Sequence, residues 1–258
     1  MRKLALSDEI LMQVEKPARY IGNEVNAVMK EQNQVQIRFA MCFPDVYEIG
    51  MSHLGIQIIY DMLNHFEDVW CERVYSPWVD LDQVMRKERI PLFALESQDP
   101  IKEFDFLGIT LQYEMCYTNI LQVLDLSGIP LLASERGDAD PIVIGGGPCT
   151  YNPEPICDFF DIFYIGEGET QYRRLLDLYK ECKAKCLGRK EFLKKAAQIP
   201  GMYVPSLYDV VYHEDGTIHK RILLADGIPE TIEKELVRDV TDTYYPDKPV
   251  VPFIKVTQ

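Results

Sequence analysis

The sequence predicts an α/β protein built on a doubly wound, mostly parallel β-sheet. Between residue 35 and about residue 200, apolar segments of strand length alternate with amphipathic segments long enough for helices. Strands that alternate with helices in this way are joined by crossover connections, which make neighbouring strands parallel. A second observation is that several of these strands end in glycine-rich turns, as at Gly145 to Gly147.

Three regions are expected along the chain. Residues 1–34 are predicted to form an N-terminal helical lead, with two short helices separated at Pro17 and with Ser7 capping the first. Residues 35–200 form the α/β domain. Residues 201–258 are expected to contain a β-hairpin, with its tip at residues 214–216, followed by an extended, proline-containing linker.

Within the α/β domain, apolar runs predict strands at residues 35–44, 69–77, 90–97, 104–112, 141–147 and 161–168. Helices are expected between them, at residues 50–64, 80–88, 114–128 and 169–185. Asp80 places an acidic residue at the start of one helix, and Gly128 is a favourable residue just past the end of another.

Composition excludes several classes of protein. The chain has 258 residues, is 47% hydrophobic and carries a formal charge of −14, so it can bury a core and should repel nucleic acid. No apolar run approaches the roughly 20 residues of a membrane helix. Acids follow the first basic residues too early for a signal peptide, and the seven cysteines fit a reducing compartment. We therefore expect a cytoplasmic protein with no membrane or nucleic-acid partner.

The glycine-rich turns predict a ligand site, because ligands of parallel α/β sheets bind at the carboxyl ends of the strands. Four turns, "FPDVYEIGMSHLG", "GITLQYE", "VIGGGP" and "YIGEGE", should lie along one edge of the sheet. None matches a Walker A or dinucleotide-binding motif, so a nucleotide or flavin site is the weakest interpretation. The glycines could also serve strand exits alone, and Glu167 and Glu169 could simply favour a helix dipole.

The stretch "VIGGGPCTYNPEPICDFFDIFYIGEGE" resembles the cobalamin-binding domain that precedes the radical S-adenosylmethionine (SAM) domain in B12-binding radical SAM proteins. "KPARYIGNEVNAV" and "FPDVYEIGMSHLG" resemble the N-terminal half of one uncharacterised subfamily of that group. The resemblance implies a flavodoxin-like (Rossmann-like) fold and possible binding of cobalamin. It also implies a partner radical SAM domain, in cis or in trans, to which this chain would present a corrinoid or its vestigial cavity.

The resemblance places the cobalamin motif Asp-x-His-x-x-Gly at Asp45, Tyr47 and Gly50. The position of the cobalt-ligating histidine is therefore taken by Tyr47. His53 is the nearest imidazole, although a lone histidine there also suits a capping or surface position. The resemblance implies a wider set of cofactor-binding residues, which comprises Asp45, Tyr47, Gly50, His53, Thr110, Gln112, Gly145, Gly146, Gly147, Pro148, Gly166, Glu167, Gly168 and Glu169.

The cysteines of a radical SAM cluster are missing. The closest match to C-x-x-x-C-x-x-C is Cys182 and Cys186, and Arg189 stands at the third position. The resemblance therefore assigns the [4Fe–4S] cluster and SAM to a domain that this sequence lacks. We expect no metal site, no catalytic residue and no turnover from this chain alone. The alternative function is a non-catalytic interaction domain, or scaffold, that has lost its cofactor site.

Overall fold

A computed structural model describes residues 6–239, 241 and 243–252. Its main sheet has six strands in the order β2-β1-β3-β4-β5-β6. The first five are parallel, and β6 pairs antiparallel at one edge. Their bounds are Ile37–Phe43 (β1), Val69–Tyr75 (β2), Phe106–Thr110 (β3), Ile142–Gly146 (β4), Ile162–Tyr164 (β5) and Met202–Tyr203 (β6). The order of the parallel strands is that of flavodoxin-like folds.

Helices cover both faces of this sheet. Their bounds are Asp8–Leu11 (α1), Tyr47–Gly50 (α2), Leu54–Asn64 (α3), Val79–Glu88 (α4), Tyr117–Ser127 (α5), Tyr172–Ala184 (α6) and Arg189–Ala196 (α7). Apolar residues of α3, α6 and α7 pack on one face, and those of α4 and α5 pack on the other. All seven residues of β1 are buried, as expected of a strand covered on both faces. The predicted doubly wound architecture is confirmed.

The N-terminal lead is less helical than expected. Helix α1 is present, and the side chain of Ser7 caps it by accepting a hydrogen bond from the backbone of Ile10. The second predicted helix is a single 3₁₀ turn, Pro17–Arg19. Further along, the ammonium of Lys30 donates to three backbone carbonyls between the end of α3 and the start of β2, at 2.6–2.8 Å. This segment therefore packs along the outer edge of β2 through side-chain bonds rather than as a helix.

The strand predicted at residues 90–97 is wrong. That segment is a buried loop with one isolated antiparallel bridge, between Phe93 and Pro100. The backbone N–H of Leu92 donates to the carbonyl of Leu126, and that of Leu95 donates to the carbonyl of Arg73. The segment thus makes a backbone bond to β2 and finds other partners in α5 and in its own turn, so it forms no continuous ladder and does not join the sheet as a strand.

The predicted C-terminal hairpin is present and consists of Tyr208–Tyr212 (β7) and Ile218–Leu223 (β8). Most of its residues are exposed. Beyond it, the described part of the expected linker lies against the domain, since the backbone N–H of Asn26 donates to the carbonyl of Val250. No helix within the described ranges has both the length and the apolar character needed to cross a membrane.

Candidate functional site

The carboxyl ends of the parallel strands form one edge of the sheet, which we call the carboxyl rim. It comprises residues 44–50 after β1, 76–79 after β2, 111–116 after β3, 147–151 after β4 and 165–170 after β5. In a sheet of order 2-1-3-4-5 the chain changes direction between β1 and β3, and ligands bind in the crevice that opens there. The rim between β1 and β3 is therefore the expected position of a site.

A side-chain hydrogen bond spans this position. The Tyr113 hydroxyl donates to Oδ2 of Asp45 at 2.6 Å, while Oδ1 of Asp45 accepts from the backbone of Val46. The hydrogen bond to the Asp45 carboxylate, together with partial burial, raises the pKa of Tyr113 to about 12. Asp45 was predicted as a site residue, whereas Tyr113 was missed. Its only signal in the sequence is its position directly after the strand end "GITLQ".

Tyr47, which stands where the cobalamin motif has histidine, is held by the N-terminal lead. Its hydroxyl donates to Oε1 of Glu24 at 2.9 Å, and its ring packs edge-on against Tyr75. Glu24 also accepts two hydrogen bonds from the guanidinium of buried Arg73. Burial, followed by the nearby Glu24 carboxylate, raises the pKa of Tyr47 to about 12. The phenol is thus a neutral hydrogen-bond donor in a network that also involves β2.

Gly50 and His53 have local structural roles. A Cβ on Gly50 would lie 2.5 Å from Cε1 of Tyr75 and 2.9 Å from Cβ of Phe43, so the absence of a side chain allows close packing there. His53 is the N-cap of α3, where its Nδ1 accepts a long hydrogen bond of 3.4 Å from the backbone of Ile56. Its ring also packs against Phe43. The capping alternative for His53 therefore describes its position.

The turns after β3 and β4 meet at the rim. The backbone N–H of Leu111 donates to the carbonyl of Gly146, and the side-chain amide of Gln112 donates to the Thr110 hydroxyl. A Cβ on Gly147 would approach the carbonyl oxygen of Leu111 to 2.9 Å. Other predicted residues of these turns differ in their surroundings. Gly145 packs on Phe160 and Phe163, Gly146 faces open space and Pro148 is exposed.

The turn after β5 is covered by the chain's own C-terminal segment. Glu235 forms a parallel bridge with Gly166, and its backbone exchanges hydrogen bonds with Ile165 and Glu167. Gly166 has φ of 138°, and a Cβ on it would overlap the backbone of Glu235. Gly168 packs against Ile59 of α3, and Glu169 is half-buried. The predicted residues of this turn thus contact protein atoms.

The structure brings Asp45, Thr110, Gln112 and the glycines after β4 to one part of the rim, beside Tyr113. Tyr47 and Gly50 lie toward β2, and the turn after β5 lies on the other side. A separate cleft of about 400 Å³ is at the opposite, amino end of the sheet, where its lining includes Cys182, Cys186 and Arg189. Arg189 there forms a buried ion pair with Asp161. Within the described residues, no group of three or more His, Cys, Asp or Glu side chains is placed to hold a metal.

Exposed apolar side chains follow the first four strands of the chain at this rim. They are Ile49 after β1, Trp78 after β2, Met115 after β3 and Tyr151 after β4, and they are 46–85% exposed. Acidic residues lie among them. They occur in the same loops, at Asp45 and Glu48 after β1, Glu114 after β3, and Glu167 and Glu169 after β5. The rim therefore presents a surface that is both apolar and negatively charged.

Comparison with known proteins places this chain in a family. A segment of 132 residues is 30% identical to an uncharacterised protein of Methanocaldococcus jannaschii and covers 50% of this chain but 24% of that protein. The chain thus matches about a quarter of the length of that curated relative. Residues 55–205, more than half of the chain, match the family model described as the N-terminal part of radical SAM proteins. The chain therefore belongs to the family of N-terminal regions of radical SAM proteins.

Proposed function

We propose that this chain is a non-catalytic N-terminal domain that docks through its carboxyl rim onto the SAM-binding domain of a radical SAM protein. The observation that carries the proposal is the row of exposed apolar side chains after β1 to β4, namely Ile49, Trp78, Met115 and Tyr151. The four side chains come from separate loops that follow neighbouring strands, so the surface is formed by the fold and not by one local segment. Family membership supplies the partner.

Burial of these side chains would stabilise a complex. Removal of apolar surface from water contributes roughly 25 cal/mol per Å², and contiguous exposed apolar patches commonly mark interfaces. Large, flexible or aromatic side chains such as Met115 and Tyr151 are typical of the buried centre of an interface. The acids around them would be neutralised by a partner surface rich in lysine and arginine. The expected partner face is therefore apolar at its centre and basic at its margin.

Cobalamin binding at the same rim is the second candidate function. The observation that favours it is Gly146, where a Cβ would meet no protein atom within 4 Å. The other contacts fit a corrinoid poorly in this arrangement, because Gly50 packs on Tyr75 and Gly166 packs on Glu235. Tyr47, with its hydroxyl bound to Glu24, offers no imidazole to cobalt. Cobalamin therefore requires these contacts to open, whereas docking requires no rearrangement.

A calorimetric titration tests the docking proposal. The chain is titrated with the separately expressed SAM-binding domain of a radical SAM protein in which this family forms the N-terminal part. Met115→Glu and Tyr151→Glu are each expected to weaken binding about 10-fold or more, as loss of a central interface contact does. Val211→Glu, at an exposed position of β7, is the matched control and should bind as the wild type does. Equal affinity for all four proteins contradicts docking through the rim.

A second titration tests cobalamin. The chain is mixed with hydroxocobalamin, separated by gel filtration and examined by visible absorbance. If the rim holds the cofactor, the wild type retains it and Gly146→Trp does not. Gly137→Trp serves as the control, because Gly137 is exposed, has no atom within 4 Å of a built Cβ and lies away from the rim. Absence of cobalamin from all three proteins contradicts a cofactor role for the rim.

A further inference from the structure

Two histidines face each other on the C-terminal hairpin. His213 directly follows β7, and His219 lies in β8. Nε2 of His213 and Nδ1 of His219 share a hydrogen bond of 3.1 Å, and the ring centroids are 4.4 Å apart. Both side chains are exposed. A register irregularity between Val211 and Tyr212 lies beside the pair and brings the two imidazoles together across the strands.

This separation matches that of two nitrogens bound to one metal ion. Metal–imidazole bonds of about 2.0–2.1 Å place neighbouring ligand nitrogens about 2.9 Å apart at a right angle and about 3.3 Å apart at a tetrahedral angle. The observed 3.1 Å lies between these values. A change of tautomer moves the shared proton to the outer nitrogen of the donor ring. Rotation about the terminal side-chain torsion, which has a broad minimum in histidine, then directs both lone pairs to one point.

We propose that His213 and His219 form a binding site for one divalent transition-metal ion, of the zinc, nickel or copper class that imidazole prefers. The two imidazoles are the protein ligands, and within the described residues no third candidate ligand is grouped with them. Water molecules complete the coordination. The site is open and exposed.

Metal binding would stabilise the hairpin. A two-stranded hairpin without a third strand is only marginally stable in water, and most residues of β7 and β8 are exposed. An ion bound by one imidazole from each side of the tip links the strands across residues 214–218. It therefore stabilises the paired state relative to the open state by RT ln(1 + c/Kd), where c is the free metal concentration. The site thereby makes the order of this hairpin dependent on metal.

The test is a calorimetric titration of the chain with nickel chloride, in a Cys186→Ser background that removes the exposed thiol. One Ni²⁺ per chain is expected. Replacement of either imidazole, by His213→Gln or His219→Gln, should weaken binding at least about 10-fold, because the second preorganised ligand is lost. His53→Gln is the matched control. Nuclear magnetic resonance of the imidazole Hε1 protons should show that Ni²⁺ broadens the signals of His213 and His219 first.

Each result decides the proposal. Binding that is lost in both hairpin variants and kept in His53→Gln supports it. Binding that persists unchanged in His213→Gln and His219→Gln places the ion elsewhere and overturns it, as does absence of binding in the parent protein. Because both histidines are exposed, their replacement should leave the far-ultraviolet circular dichroism of the chain unchanged, and this measurement separates ligand loss from unfolding.

Discussion

The hydroxyl of Tyr47 donates a 2.9 Å hydrogen bond to the carboxylate of Glu24. This contact links a residue of the rim to the N-terminal lead of the chain. Glu24 in turn binds Arg73, whose side chain is only 4% exposed. The lead is therefore part of the rim's structure, and changes in Glu24 should alter the stability of the rim.

Glu24 should make stability depend on pH in the acid range. Burial disfavours its charged form, but hydrogen bonds and attraction from Arg73 outweigh this effect and lower its pKa below the ordinary 4.5. A carboxyl with a lowered pKa contributes stability that is fully present above pH 4.5 and is lost as pH falls through the folded-state value. Glu24→Gln should therefore cost about 2 kcal/mol at pH 7, as loss of hydrogen bonds to a charged group does.

Urea denaturation at several pH values checks this expectation. The difference in unfolding free energy between wild type and Glu24→Gln should shrink as pH falls below 4.5. Exposed Glu9, changed to Gln, is the control and should show little difference at any pH. A Glu24→Gln difference that stays constant down to pH 3 would mean that the ion pair with Arg73 does not set the pKa.

Gly50 and Gly146 should respond differently to the same substitution. A Cβ at Gly50 meets Tyr75 at 2.5 Å, whereas a Cβ at Gly146 meets nothing within 4 Å. Gly50→Ala should therefore destabilise the fold by about 1–3 kcal/mol through overpacking. Gly146→Ala should change stability by less than about 1 kcal/mol. The midpoints of urea denaturation measure both changes in stability. Similar losses at the two positions would show that Tyr75 does not fill the space beside Gly50.

Gly166→Ala should release the segment that covers the turn after β5. The new Cβ would overlap the backbone of Glu235, and φ of 138° is strained for any residue but glycine. Trypsin cleavage after Lys234 and Arg238 should therefore become faster. Gly128→Ala is the control, because Gly128 also has positive φ but has no neighbour. It should lower stability by about 1–2 kcal/mol without a selective increase in cleavage at these two sites.

The sheet could be predicted because strand and helix periods are local properties of the sequence. Residues 90–97 have the same apolar composition as a strand, but they contact β2 through a backbone bond from Leu95 to Arg73 without forming a ladder, and only tertiary structure reveals this. For the rim, the sequence locates the turns without showing what faces them. Gly50 and Tyr75 are 25 positions apart, and Gly166 and Glu235 are 69 apart, so no local pattern reports these contacts.

Hydrogen–deuterium exchange of the chain, alone and bound to the SAM-binding domain, tests the docking proposal most directly. The account predicts slower exchange in peptides that contain the rim loops after β1 to β4, at residues 44–50, 76–79, 111–116 and 147–151. Exchange in the hairpin, residues 208–223, should not change. Protection of the hairpin with no change at the rim would contradict the account, because the partner would then contact a different surface of this domain.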